Sequence, residues 1–244
     1  MIDFRRFRFS LWPTLMSVPA VLVMLGLGVW QLQRLEWKNE LMARIAERTA
    51  QEPVGFDRLA HDPAKDEYRR VRLRGSFVHD KELYLAARSR NNNVGFHVVT
   101  PFVLTNGMAV LVNRGWVPSE RREPEKRAEG QIKGDTDVTA VVRLSQRQGM
   151  FQPDNDAGKN VWFFVDVPAM RNAAGVATEV DYWFEADATP NPGGFPIGGQ
   201  TRIQIPNDHL QYAVTWFVFA ATLTVIFLIF SYRRRDKAEG ESAP

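Results

Sequence analysis

The sequence predicts a membrane protein in which one transmembrane α-helix near each end flanks a mostly β extracytoplasmic domain with minor helix. Three observations carry this. Residues 15–32 (LMSVPAVLVMLGLGVWQL) and 212–230 (YAVTWFVFAATLTVIFLIF) contain no charged side chain, and a hydrocarbon core of about 30 Å is crossed by about 20 helical residues. Lys and Arg cluster outside both runs, at Arg5, Arg6 and Arg8 and at Arg233, Arg234, Arg235 and Lys237. Between the runs lies a soluble type of sequence with short alternating apolar stretches.

The basic clusters set the orientation, because they mark the cytoplasmic side of a span. The expected layout is a cytoplasmic N-terminus (1–12), a first transmembrane helix (13–32), a periplasmic domain (33–208), a second transmembrane helix (209–231) and a cytoplasmic tail (232–244). Residues 1–32 and 212–244 hold 7 of the 31 Lys/Arg and 4 of the 28 Asp/Glu. The middle is therefore neutral, and the net charge of +3 belongs to the membrane flanks. No basic patch with interleaved aromatics stands out, so the expected partner is the lipid bilayer and not a nucleic acid. A cleaved signal peptide would have an apolar region of about 7–15 residues and a small-residue site. The first run is longer and ends in Trp30-Gln31-Leu32-Gln33-Arg34, which reads as an uncleaved anchor. Without an Arg- and Ser-rich transit segment, a bacterial inner membrane is expected.

The elements follow in order. Residues 34–49 keep helical periodicity, with Leu35, Leu41 and Ile45 as apolar positions, and Pro53 ends them. Residues 68–77 alternate Val71, Leu73 and Gly75 with Arg70, Arg72 and Arg74, a half-buried strand with a basic outer face. Residues 82–87 are a short candidate strand. Residues 95–104 and 108–116 flank Asn106-Gly107, a hairpin signal. Residues 137–144, 162–167 and 180–186 continue the β pattern, and 168–174 read as a short helix. Residues 119–135, dense in both charge signs, and 188–200, rich in Pro and Gly, read as loops. The middle is expected to be one open barrel or sandwich.

Composition narrows the chemistry. There is no cysteine, so the outer domain relies on its core. Thiolate metal sites, thioredoxin-like redox chemistry and covalent haem attachment are excluded, and a thiolate copper chaperone is disfavoured. Gly158-Lys159-Asn160 lacks the rest of a phosphate loop, and no G-x-S-x-G elbow occurs. No catalytic residue is therefore expected. His61, His79 and His97 lack a ligand partner at helical spacing and read as ordinary histidines.

His209 differs, because it stands three residues ahead of the second apolar run. Helical spacing places Tyr212 or Ala213 and Trp216 on its face. That face suits either an axial ligand for a haem or an aromatic interface belt; neutral imidazole would be the ligating form. On the first run, Gly26, Trp30 and Arg34 recur every four residues. Gly26 permits close approach of a helix or a flat ligand. Arg34 suits either carboxylates such as haem propionates or an interface anchor.

Four segments together resemble the surfeit locus protein 1 family of cytochrome c oxidase assembly proteins: residues 28–38 (GVWQLQRLEWK), 68–77 (YRRVRLRGSF), 112–118 (VNRGWVP) and 207–216 (NDHLQYAVTW). The resemblance runs through nearly the whole chain. It implies a non-enzymatic role in maturing a haem–copper oxidase, with haem a as cofactor. His209 is then the haem axial ligand, and Tyr212, Trp216, Trp30 and Arg34 are its surroundings. The implied partners are the oxidase catalytic subunit and the haem a synthase. Arg114-Gly115-Trp116 is a family motif, read as a structural turn or as a partner contact through Arg114 and Trp116. A haem-free scaffold holding an oxidase subunit through the outer domain is the alternative.

Overall fold

A computed structural model describes residues 10–177, 180–201 and 207–240, with side chains to residue 232. Arg5, Arg6 and Arg8 lie outside the described residues, as do the side chains of Arg233, Arg234, Arg235 and Lys237. The element order is α1 (Leu11–Ala50), β1 (Val54–Gly55), α2 (Pro63–Asp66), β2 (Arg70–Phe77), β3 (Leu83–Arg90), β4 (Asn93–Leu104), β5 (Ala109–Pro118), β6 (Thr136–Leu144), α3 (Val167–Ala174), β7 (Tyr182–Ala186) and α4 (His209–Gly240). Short 3-10 turns join several of these. The chain divides into two compact units, Met1–Arg44 with Gln204–Pro244, and Ile45–Ile203.

The first unit is a helix pair. Both α1 and α4 are long and apolar enough to cross a membrane. Only 6% and 11% of their most apolar windows are buried, which distinguishes them from the core helices of a soluble protein, whose apolar stripe is covered. The segment 34–49, expected as a helix leaving the membrane, continues α1 without a break.

The second unit is a small barrel. Strand β2 pairs with β6, β6 with β7, β7 with β5, β5 with β4, and β4 returns to β2 through Gly75↔Leu104, Ser76↔Val103 and Phe77↔Phe102. Five strands thus close a ring, which removes open edges. Strand β1 lies parallel on β2, and β3 antiparallel on β4. The expected alternation of β2 is present: Val71, Leu73 and Gly75 are buried, while Arg72 and Arg74 are exposed. The Asn106-Gly107 turn joins β4 to β5, with Met108 N–H donating to Asn106 Oδ1 at 3.0 Å.

Two cores use opposite faces of the same strands. Inside the ring lie Val71, Leu73, Phe102, Val110, Val112, Ala140, Val142, Tyr182 and Phe184. Outside it, Leu83, Leu85, Val99, Leu111 and Trp183 pack against Trp162, Val165 and the α3 residues Val167, Met170 and Ala174. Strand β5 is therefore buried on both faces through residues 109–117, with an apolar run over 109–112.

Two expectations are corrected. Residues 162–167 are not a strand. Trp162 makes one isolated bridge to Leu85, and Asp166 caps α3 by accepting from Ala169 N–H at 3.0 Å, so helix geometry begins at Val167. Residues 119–135 are not merely a solvated loop. They form 3-10 turns at Ser119–Arg121 and Pro124–Gly130, and Arg127 and Gly130 are buried.

Candidate functional site

In the helix pair, His209 begins α4 and meets Gln31 of α1. The distance from His209 Nδ1 to Gln31 Oε1 is 2.6 Å. With the amide oxygen as acceptor, Nδ1 is the donor, and in a neutral imidazole the lone pair is then on Nε2. One turn further along α4, Ala213 is buried, and Trp216 and Phe217 are half-buried. The ring of Phe217 lies where a side chain on Gly28 would begin, 2.6 Å from the ideal Cβ position. Asn207 Nδ2 donates to Asn39 Oδ1 at 2.8 Å. These contacts fix an antiparallel pair whose seam on α1 runs through Gly28, Gln31 and Leu35.

The sequence-predicted surroundings of His209 are divided by this seam. Ala213 and Trp216 lie on its face of α4, while Tyr212 is 56% exposed. Trp30, 51% exposed, and Arg34 lie beside the α1 seam and not on it. The Arg34 guanidinium sits 3.9 Å from the Trp37 ring centroid. The close helix approach falls at Gly28; nothing lies within 4 Å of a Cβ at Gly26. Gln31 was missed because an apolar helix conceals its own phase, although it is the polar residue between Trp30 and Leu32.

In the barrel, Arg114-Gly115-Trp116 forms a β-bulge. Val98 pairs with Gly115 and Val99 with Asn113, so Arg114 is the extra residue that a bulge re-aims. Gly115 has φ +124, and a Cβ there would strike the Ile197 carbonyl. Trp116 exchanges backbone hydrogen bonds with Ile197 and donates its indole N–H to Arg88 O at 3.1 Å. Arg114 is 1% and Trp116 5% exposed, so the fold itself employs both side chains.

The bulge sends Arg114 into a buried charged cluster. Its guanidinium lies 3.5 Å from Glu82, donates to Gly130 O and faces Phe77 at 4.6 Å. Arg127 makes a two-pronged pair with the same carboxylate. Burial would raise the Glu82 pKa, but hydrogen bonds from His79 and Arg127 and the charges of Arg127 and Arg114 hold it at about 2. Burial lowers Arg114 to about 10 against the pull of Glu82. Glu82 and Arg114 thus stay ionised at neutral pH, and the cluster ties the 119–131 segment to the barrel.

The other outer-domain histidines are not brought together. His79 Nε2 meets Ile132 O at 2.8 Å, His97 Nδ1 meets Asn113 at 3.2 Å, and His61 Nδ1 meets the Tyr182 hydroxyl at 3.3 Å. Among the described residues no group of three or more His, Asp or Glu gathers as a metal site.

Comparison with known proteins agrees with the motif order. Residues 18–221 match the SURF1 family. The chain belongs to the SURF1 family. It is 37% identical to a SURF1-like protein of Monosiga brevicollis, over 96% of this chain and 92% of that protein. It is 38% identical to Surfeit locus protein 1 of Takifugu rubripes, over 87% and 93%, and 39% identical to that of Homo sapiens, over 83% and 72%. The SURF1 match takes in most of α1, the first part of α4 and the entire barrel unit, so Gln31, His209 and the Arg114 bulge all lie within it.

Proposed function

We propose that this chain is a cytochrome c oxidase assembly factor that binds haem a through His209 and aids its delivery to, or retention in, the catalytic subunit. The observation that carries this is the His209–Gln31 pair at the start of an apolar helix in a SURF1-family chain. A metal-binding histidine donates from its other ring nitrogen to an acceptor that fixes tautomer and orientation. Gln31 supplies that acceptor, so the residues present fit an imidazole-ligated haem.

His209 Nε2 would hold the iron. Trp30, Tyr212 and Trp216 offer aromatic surface for an apolar macrocycle, and Gly26 leaves room for a flat group. Arg34, stacked on Trp37, keeps guanidinium edges for propionates. Haem a, when bound, supplies an iron that takes an imidazole nitrogen as axial ligand. The chain's own part is to fix the His209 tautomer and surround the site with apolar surface, and no covalent bond is formed. The haem a synthase as donor and the oxidase catalytic subunit as acceptor belong to the same proposal. So does a bacterial inner membrane with both ends cytoplasmic, which rests on the basic flanks. The test is the absorption spectrum of protein purified from cells that make haem a. The expected result is a haem a spectrum in wild type that His209→Ala loses; equal haem in both would overturn the ligand assignment.

A second reading, the haem-free scaffold, draws on one observation. Met150 and Phe151, adjacent on a turn of the barrel unit, are 91% and 95% exposed, a pattern suited to protein docking. It predicts that a Met150→Ser/Phe151→Ser variant loses co-purification of the oxidase subunit while keeping the fold.

A further inference from the structure

On the outer face of the barrel, bordering the outer core at Leu85, Val165 and Trp183, lies a cavity of about 340 Å³. One wall is barrel: Arg88 and Ala87 of β3, His97 of β4, Arg143 of β6, and Trp183 and Glu185 of β7. The other is the strap after β6, through Gln146, Gln152 and Val165. The register pairs Arg143 with Trp183 across the strands and sets Glu185 two residues beyond Trp183 on the same face. All three therefore point out of the ring, into the layer between barrel and strap.

The polar groups here are unevenly matched. The strap amides are engaged: Gln152 donates to Phe163 O at 2.8 Å, and Gln146 accepts from Val165 N–H at 3.3 Å. Arg88 donates to Phe163 O at 3.2 Å. Among the described residues two buried donors on the barrel wall have no hydrogen-bond partner, the Trp183 indole N–H and an Arg143 guanidinium nitrogen. Trp183 is 2% exposed, and a buried donor left unpaired is costly, so native structures rarely keep one without a ligand or water. Arg143 reaches Glu185 only at 3.8 Å. Burial raises the Glu185 carboxyl against the pull of Arg143, Thr201 and Arg88. At the edge of the cavity Ala87 has φ +54, within a break in the β3–β4 register between Leu85 and Arg88. Backbone strain in a non-glycine residue concentrates at binding sites.

We infer that this cavity is a binding site for a small carboxylate anion, held by Arg143 and the Trp183 indole N–H. The polar, cationic wall suits a compact acid and not a porphyrin, whose pocket would be mostly apolar. A planar carboxylate takes paired donors from a guanidinium and one more from an indole. Few donors are available, the Trp183 indole and one Arg143 nitrogen, and they suit the two oxygens of a carboxylate better than the three or four of a phosphate, so carboxylates are preferred. This site is separate from the His209 reading and stands or falls without it.

The experiment is isothermal titration of the full chain in detergent with succinate, with phosphate and chloride as comparison arms at matched ionic strength. Saturable binding of succinate, one per chain and tighter than phosphate, is expected. Arg143→Gln should weaken it at least about tenfold, with far-ultraviolet circular dichroism reporting that the variant is folded. Trp183→Phe should also weaken binding at least about tenfold, with near-ultraviolet circular dichroism reporting whether its core is intact. Lys159→Gln, at an exposed turn, should bind as wild type. No saturable heat up to about 10 mM succinate, the result if water alone satisfies the donors, would overturn the site. So would unchanged binding in Arg143→Gln, or phosphate binding as tightly as succinate.

Discussion

Gln31 shows how one side chain gives another its chemistry. His209 alone could be an interface residue, but a partner on Nδ1 prepares Nε2 as a ligand. Replacing Gln31 by Leu removes the acceptor and leaves the imidazole itself in place. Haem a affinity, measured by titrating haem into solubilised protein, should fall about 10–100-fold. Gln31→Glu, which keeps an acceptor oxygen, should restore most of it; equal loss in both would show that Gln31 only packs. His209 stood out in the sequence because it is the one histidine of the four that borders a long apolar run. Its partner was not, because every phase of such a run looks apolar. The sequence put the close approach at Gly26, one face of the run among several, and the Phe217 ring places it at Gly28.

At the scale of elements, alternation was readable and buried charge was not. Strand β2 declares its inner face through Val71, Leu73 and Gly75. The segment 119–135 looked solvated because nothing in its sequence separates Arg127, which is buried on Glu82, from its exposed neighbours. Residues 162–167 misled in the opposite way: their apolar side chains pack on the outer core without a ladder. The Glu82 cluster should matter for stability. Glu82→Gln strands Arg114 and Arg127 in the interior, and losing one partner of a buried pair costs about 3–5 kcal/mol. Chemical unfolding followed by tryptophan fluorescence would measure it. The pH dependence has a definite sign. The folded-state pKa of Glu82, about 2, lies below its ordinary value of 4.5. The stabilisation is therefore full above about 4.5 and is lost as pH falls toward 2. Glu82→Gln should flatten the stability curve across that window. The β5 bulge makes a second prediction. Gly115→Ala places a methyl group against the Ile197 carbonyl at an unfavourable φ. It should cost about 3 kcal/mol or more, measured by the same unfolding.

For the whole molecule, the division into two units has a functional consequence. The helix pair has its own seam, with Ala213, Ala220 and Ser231 buried in it, and the barrel has its own cores. Among the described residues the proposed haem ligand His209 and the charge burial at Glu82 share no partner residue. Changes at sites without shared partners add to within about 0.5 kcal/mol. In protein carrying haem a, His209→Ala should therefore abolish the haem spectrum and leave barrel unfolding unchanged. Glu82→Gln should lower barrel stability by its full amount and, below the transition, leave the haem-to-protein ratio at the wild-type value. The double variant should show both effects with no interaction between them. An interaction above about 1 kcal/mol in that cycle would mean that barrel and helix pair unfold as one body, and the separate roles given to them would have to be merged.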